Sequence, residues 1–352
     1  MKWPYLILLL SLVSCGSNQK PDRSDLLHQS AQVEQRLRMN LHSEPSSLDP
    51  RLVRDIPTVT TAKMFFDGLM RINLERQILP SIAERVVLSS DHKHYTFYLR
   101  QAYWSDGKPV TAYDFEYAWK RVLSPDFPAE YAHQLFMIKN GESAKKRIAS
   151  LVDVGVTAEG PLKLTVELSE PNPYFLEVAA SPVAYPIPLH VEMTNRSWAS
   201  EQGEAFICNG PFQLKQWRHG SELEAVKNPL YWDAETVKLT TIVLTMIEDE
   251  HTELNMYENN ELDWAGSPNS SIPPEALPSL KESTNAQNEL HIAPVAGTFC
   301  YKFNTKVAPF DSVKMRKAFA CAINRKSLID NVLQSGQIVA TSLLPPCMKT
   351  SS

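Results

Sequence analysis

The sequence predicts a mixed α/β protein of at least two domains, and three observations carry this prediction. Apolar and polar residues alternate along residues 162–169, which is typical of a half-buried β-strand. Residues 104–125 combine a turn with an amphipathic helix, in which Thr111 and Asp114 have the spacing of a capping box. At 352 residues, the chain is also too long for a single hydrophobic core.

Further elements are predicted on both sides of a proline-rich stretch at residues 181–189. The predicted strands cover residues 37–41, 95–99, 210–217, 222–226 and 239–246, and a predicted helix covers residues 247–257. The composition shifts toward proline and loop residues near Phe66 and again within residues 181–189. We therefore place domain boundaries at these two points.

The N-terminal residues predict export and a lipid anchor. An apolar run at residues 3–13 is far shorter than the roughly 20 residues that cross a bilayer, so residues 1–14 are interpreted as a signal peptide. Cys15 follows Leu-Val-Ser, the pattern of bacterial lipoproteins, in which this cysteine becomes the acylated first residue. The alternative is an ordinary secretory peptide with a chance cysteine. On the lipoprotein interpretation, residues 15–36 are a flexible tether outside the cytoplasmic membrane.

The charge balance and the cysteines exclude several classes of function. There are 35 Lys and Arg against 40 Asp and Glu, with no basic patch, which argues against nucleic acid as a partner. The cysteines after Cys15 are scattered and lack the spacing of a metal site. They are Cys208, Cys300, Cys321 and Cys347. We favour free buried thiols and assign no disulfide.

No catalytic pattern is present in the sequence. It contains neither a Gly-x-Ser-x-Gly elbow nor His-Glu-x-x-His, and its 12 glycines form no phosphate-binding loop. His92 and His94 flank one lysine in a predicted turn, where solvated side chains are favoured over metal ligands. An enzyme is therefore the weaker class of hypothesis, and we expect no cofactor.

Short motifs in a fixed order along residues 37–346 provide a second line of inference. Among them are Ser47-Leu48-Asp49-Pro50, Phe65-Phe66-Asp67-Gly68-Leu69, Tyr95-Thr96-Phe97-Tyr98-Leu99-Arg100, Asn209-Gly210-Pro211-Phe212, Asn228-Pro229-Leu230-Tyr231-Trp232 and Ala322-Ile323-Asn324-Arg325. Together with residues 104–125, they resemble the extracytoplasmic solute-binding proteins of the bacterial peptide/nickel ABC transporter family, in particular its oligopeptide-binding branch. The resemblance implies a periplasmic-binding-protein-like α/β fold of type II with three domains.

The resemblance also implies how the chain is divided into domains. Residues 37–66 and 189–296 would form a discontinuous domain I, residues 67–188 an inserted domain II, and residues 297–352 the start of domain III. The motifs end at Pro345-Pro346, whereas family members are longer, so we expect an incomplete third domain with unburied apolar residues. The residues concerned are Phe299, Tyr301 and Phe303.

Three interpretations of such a chain stay open. It is a truncated product that no longer transports, a short variant completed by a second polypeptide, or a surface lipoprotein reused to bind partners. For a working receptor, the resemblance implies capture of short peptides and delivery to the permease subunits of an ABC transporter. Peptides are bound as an added strand, largely through main-chain hydrogen bonds.

Family ligand positions are carried over one residue at a time. They fall at Tyr131, at Ile56, and in a strand over residues 297–304 that carries Phe299 and Tyr301. An ordinary core or surface role is the alternative for these residues.

One ligand position differs in charge from the family. Where the oligopeptide-binding branch has an acidic residue that helps to bind the end of the peptide, this chain has Arg54. The neighbouring Asp55 compensates for this reversal if the register slips by one residue.

Overall fold

The computed structural model describes residues 35–283, 288–293, 295 and 297–345. Its strands are β1 (Arg36–Asn40), β2 (Met70–Ile72), β3 (Ile78–Pro80), β4 (Ala83–Leu88), β5 (His94–Leu99), β6 (Val156–Ala158), β7 (Lys163–Glu167), β8 (Phe212–Arg218), β9 (Glu222–Lys227) and β10 (Thr241–Thr245). Its helices are α1 (Ile56–Phe65), α2 (Ala112–Val122), α3 (Gly141–Lys145), α4 (Phe175–Ala179), α5 (Leu189–Glu192), α6 (Glu250–Glu258), α7 (Leu277–Glu282), α8 (Val313–Ala322) and α9 (Arg325–Leu328). Short 3₁₀ turns that bear on the site lie at Pro50–Leu52, Glu130–Leu135, Leu151–Asp153, Pro182–Ala184 and Trp198–Ser200.

The first sheet joins segments that are far apart in sequence. Its strand order is β1-β10-β9-β8, with β1 parallel to β10 and the other pairs antiparallel. Leu37 lies opposite Ile242, and Met39 lies opposite Leu244. The strands of the second sheet lie between β1 and β8 in the sequence. This order is the one expected for an insertion, although the domain boundaries themselves stay a prediction.

The second sheet is antiparallel, with the order β4-β5-β7-β6. Tyr95, Phe97 and Leu99 of β5 are buried, as are Leu164 and Val166 of β7. One face of the sheet therefore carries the apolar half of each alternating pattern, which confirms the two strands predicted from alternation. The small β2-β3 pair forms a separate antiparallel hairpin.

Helix α2 begins and packs as its sequence predicts. The Asp114 carboxylate accepts hydrogen bonds from the Thr111 amide at 2.7 Å and from its hydroxyl at 2.9 Å, completing the capping box. Gly107 in the preceding turn has φ 83°, a conformation that glycine adopts without a steric penalty. Trp119 is fully buried, and its indole N–H donates to the Ala184 carbonyl at 2.8 Å. The helix is thereby fixed against the Pro182–Ala184 turn.

The hydrophobic core is a single cluster that extends through both sheets. Where the chain passes between them, Phe66, Trp198 and Phe206 pack on one another, with ring centroids 5.9 to 6.0 Å apart. Edge-to-face and offset contacts of this kind add to the stability gained by burial alone. In the part of the chain that the structure describes, no helix is long and apolar enough to cross a membrane.

The described residues after Leu277 differ from the rest, because none of them is buried. Phe299 and Tyr301 are 88% and 68% exposed, as expected for these residues, whereas Phe303 is partly covered by Phe310 at 4.9 Å. The predicted strand over residues 297–304 is wrong, since this segment has no regular secondary structure and joins no sheet. A strand needs a neighbouring ladder, and the described residues supply none here.

Candidate functional site

The first predicted ligand residues, Asp55 and Ile56, lie at the N-terminus of α1. The Asp55 carboxylate caps the helix by accepting from the Thr58 amide at 2.9 Å and its hydroxyl at 2.7 Å. Its second oxygen lies 3.7 Å from Nε of Arg54, on the protein surface. Ile56, the first residue of α1, is 53% exposed, so its side chain faces solvent. Asp55 therefore serves the helix cap and balances the charge of Arg54.

The turn before α1 is fixed by a buried charge network that the sequence did not reveal. Arg51 is 2% exposed and binds Asp49 at 2.6 Å and Glu192 at 3.0 Å. Glu192 also accepts from the indole N–H of Trp198 at 2.6 Å. The Arg51 guanidinium lies over the Phe127 ring, 4.8 Å from its centroid. Burial acts to lower the pKa of Arg51, but the two carboxylates outweigh it and raise that pKa.

Tyr131 lies on the Glu130–Leu135 turn, with its ring partly buried against the core. The ring of His133 lies 5.9 Å away, and its Nδ1 is 3.2 Å from the Glu130 carbonyl oxygen. Within the described ranges, the Tyr131 hydroxyl has no hydrogen-bond partner. This side chain therefore combines a fixed ring with a polar group that is free to bind a ligand.

The Pro182–Ala184 turn brings these segments together. It packs against the Pro50–Leu52 turn, against α1 and against the Glu130–Leu135 turn. The preceding Ser181 hydroxyl donates to Oε1 of Gln134 at 3.2 Å. The elements that carry Asp55, Ile56 and Tyr131 are therefore held against one common support.

Phe299 and Tyr301 are not part of this arrangement. Their rings pack edge to face on each other at 5.8 Å, and both are mostly exposed. The structure does not bury either ring against α1 or against the Glu130–Leu135 turn. Of the five predicted ligand residues, three share a support and two lie on the exposed C-terminal segment. Cys15, the predicted lipidation site, lies outside the described residues.

A second buried network explains several of the sequence motifs. The Asp67 carboxylate accepts from the Ser81 hydroxyl at 2.5 Å, the Tyr231 hydroxyl at 2.9 Å and the Trp232 indole at 2.9 Å. Burial, together with the Asp67 charge, raises the pKa of the Tyr231 hydroxyl. These contacts join two of the motifs, and their role is to hold the fold together.

The Asn-Gly-Pro-Phe motif packs against the same region. The Asn209 side chain accepts from the Asp67 amide at 3.2 Å and donates to its carbonyl at 3.0 Å. A Cβ on Gly210 would lie 2.4 Å from the carbonyl carbon of Phe65, so only glycine fits at this position. Asn228 donates to the Gly210 carbonyl at 2.9 Å, which links this motif to the next.

Neither a metal site nor a cavity coincides with the predicted ligand residues in the described ranges. No group of three or more His, Cys, Asp and Glu side chains there is arranged to hold a metal ion. A surface cavity of about 450 Å³ lies beside Glu44, Ser47 and Trp217, and another of about 400 Å³ lies beside α2. None of the predicted ligand residues lines either cavity.

The fold and the motif contacts agree with the comparison with known proteins. Over residues 77–352, the chain matches the family described as "Bacterial extracellular solute-binding proteins, family 5 Middle", and it belongs to this family. The family consists of extracytoplasmic solute-binding proteins, not enzymes, and the fold is a type II periplasmic-binding-protein fold. The predicted family and fold class are thereby confirmed.

Several of the individual relatives and solved structures that the chain resembles are peptide-binding proteins. The oligopeptide-binding protein OppA of Bacillus subtilis is 39% identical over 345 residues, which cover 98% of this chain and 62% of the relative. The structure of Haemophilus influenzae OppA in complex with RPPGFSPFR has a TM-score of 0.83 at 30% identity, covering 89% of this chain and 60% of that one. The Escherichia coli murein tripeptide-binding protein MppA has the same TM-score at 28% identity. The chain thus spans about 60% of the length of these relatives.

Proposed function

We propose that this chain is a substrate-binding lipoprotein that captures oligopeptides outside the cytoplasmic membrane and delivers them to an ABC transporter permease. The observation that carries the proposal is the TM-score of 0.83 with a relative whose structure contains a bound peptide. A second relative, Listeria monocytogenes OppA bound to peptide, has a TM-score of 0.75. Both relatives bind peptides, and this chain shares their fold over most of its length.

The proposed peptide site is built on the common support described above. The Tyr131 hydroxyl would bind a peptide group, and the exposed start of α1 at Ile56 would contact the peptide main chain. In the described part of the chain, residues 297–304 have main-chain groups that no sheet occupies, and Phe299 and Tyr301 would pack on the ligand from this segment. To hold a peptide amine, Asp55 would have to give up its contact with Arg54, so we expect a weak preference for free amino termini.

Membrane attachment is proposed to depend on Cys15. Acylation there would hold the domain at a membrane surface, where it would exchange ligand with the permease. Replacing Cys15 with serine is expected to release the protein from the membrane fraction in a cell fractionation. Retention of the serine variant in that fraction would contradict the lipid anchor.

Peptide binding is tested by calorimetry and thermal melting of the purified chain with a pool of short peptides. A ligand that binds the folded state raises the melting temperature as its concentration increases. Tyr131→Phe removes the proposed ligand-binding hydroxyl but keeps the ring packed against the core, so it should leave the unliganded melting temperature unchanged. It should weaken peptide binding about fivefold, because a hydrogen bond contributes about 1 kcal/mol. Tyr174→Phe, which removes the hydroxyl of a largely exposed tyrosine, is the control. Equal affinity of both variants would remove Tyr131 from the site.

The second candidate function is a partner-binding module that does not transport. It is favoured by the exposure of Phe299 and Tyr301, which is typical of a surface that a partner covers. A cooperative melting transition that is indifferent to every peptide would support this candidate over the receptor. A chain without a cooperative transition would instead be a remnant that has lost both functions.

A further inference from the structure

A surface cavity of about 400 Å³ lies between the second half of α2, the Leu151–Asp153 turn and the segment after α5. Its volume lies within the range of roughly 300–1,000 Å³ that is usual for small-molecule sites. The residues that matter for its chemistry are Tyr117, Lys120, Arg121, Leu151, Val152 and Arg196. The cavity therefore combines apolar side chains with three cationic ones and contains no acidic side chain.

The three cations differ in how they are paired. Lys120 lies 2.7 Å from Glu116, and Arg121 lies 3.0 Å from Asp126, so both are balanced by carboxylates beside the cavity. Arg196 is exposed and has neither a hydrogen-bond partner nor an ion pair within the described ranges. A planar guanidinium with free N–H groups binds carboxylate or phosphate in a bidentate manner. Arg196 is thus the group that is available to hold an anion.

The opposite wall of the cavity is apolar. Tyr117 and Leu151 pack partly against the hydrophobic core, which fixes their position. Val152 is 72% exposed at the rim of the cavity. The turn that carries it is held by a hydrogen bond from the Val152 amide to the Ser150 hydroxyl. An apolar surface held in place beside an unpaired cation matches a ligand with an apolar body and an anionic head.

We propose that this cavity binds a small anionic amphiphile, with Arg196 holding its carboxylate or phosphate head and Tyr117, Leu151 and Val152 contacting its apolar body. This binding is independent of peptide capture, because Tyr131 and the start of α1 do not line the cavity.

The probe is n-decyl phosphate, titrated below its micelle concentration into the full chain in a calorimeter. Arg196→Gln is expected to raise its Kd at least about tenfold, because a charge-assisted bidentate contact is lost. Arg76→Gln is the matched control, since Arg76 is likewise exposed and its side chain has no partner within the described residues. Both substitutions are on the surface, and circular dichroism checks that the variants are folded. Val152→Ser should weaken decyl phosphate and leave the weak binding of inorganic phosphate unchanged.

Three results would overturn the proposal. Decanol binding as tightly as decyl phosphate would show that the anionic head is not recognised. Equal affinities of Arg196→Gln and Arg76→Gln would remove Arg196 from the site. Binding to phosphatidylglycerol vesicles without any binding of decyl phosphate would identify the surface as a membrane-docking face and not as a small-molecule site.

Discussion

Removing Glu192 tests how the turn before α1 is held. Its carboxylate makes two contacts with Arg51, at 3.0 and 3.2 Å, and one with the Trp198 indole at 2.6 Å. Glu192→Ala leaves Nη1 of Arg51 and Nε1 of Trp198 without their acceptor, in a region where Arg51 is 2% and Trp198 0% exposed. Water does not reach these groups in the folded protein, so their loss is not compensated.

The expected cost follows from these contacts. Breaking a buried ion pair by removing one partner costs about 3–5 kcal/mol, and leaving one buried N–H unpaired costs about 1–3 kcal/mol. Because both losses occur at one site, they are not additive, and we expect Glu192→Ala to lower the free energy of unfolding by about 4 kcal/mol. Glu192→Gln keeps the volume and one acceptor oxygen, which serves either Arg51 or Trp198. We expect it to cost about 2 kcal/mol.

The assay is urea unfolding of the full chain, followed by far-ultraviolet circular dichroism. Glu235→Ala is the matched control, because Glu235 is exposed and unpaired within the described part of the chain, and it should stay within about 0.5 kcal/mol of the unmodified protein. A loss below about 1 kcal/mol for Glu192→Ala would refute the reasoning. It would show that Asp49 alone satisfies Arg51, or that water enters the turn.

Two further predictions concern titratable groups in the core. Burial raises the pKa of the Cys208 thiol to about 12, so iodoacetamide at about pH 8 should label exposed Cys300 and Cys321 but leave Cys208 unlabelled until urea is added. Mass spectrometry identifies the labelled sites, and equal labelling of Cys208 in the folded chain would contradict this. Burial also raises the pKa of Asp114, so its contribution to stability is present below the ordinary carboxylate pKa of about 4 and is lost as the pH rises through the folded pKa. Relative to the unmodified chain, Asp114→Asn should therefore lose more free energy of unfolding at about pH 4 than at pH 7 in matched urea titrations. Equal losses at the two pH values would contradict this prediction.

The sequence predicted those elements whose determinants are local. The capping residues Thr111 and Asp114 lie three positions apart, and the buried residues of β5 alternate along the strand. Such patterns are complete within one segment, so they can be recognised without knowledge of the packing. The segment at residues 297–304 has a similar pattern but no strand, because pairing depends on a neighbour that the local sequence does not specify.

The buried charge network could not be predicted, because its members are far apart in the sequence. Asp49 belongs to a motif that the sequence shows, but its partner Arg51 also needs Glu192, which lies 141 positions further along the chain. Nothing in the spacing of the acidic residues distinguishes Glu192 from the other carboxylates. Only the fold, which places α5 against the Pro50–Leu52 turn, selects it.

The structure separates evidence for the family from evidence for the ligand. Asp67, Asn209, Gly210 and Asn228 come from three motifs, yet hydrogen bonds connect these motifs in the core. The motifs therefore report the fold, because changing any one of them disrupts contacts made by the others.

The proposed ligand residues are under no such constraint. The Tyr131 hydroxyl has no hydrogen-bond partner among the residues that the structure describes. Arg54 lies on the surface, where either sign of charge is compatible with folding. The identity of the ligand can therefore change while the motifs stay intact. For this reason, the proposed peptide preference has to be measured on this chain.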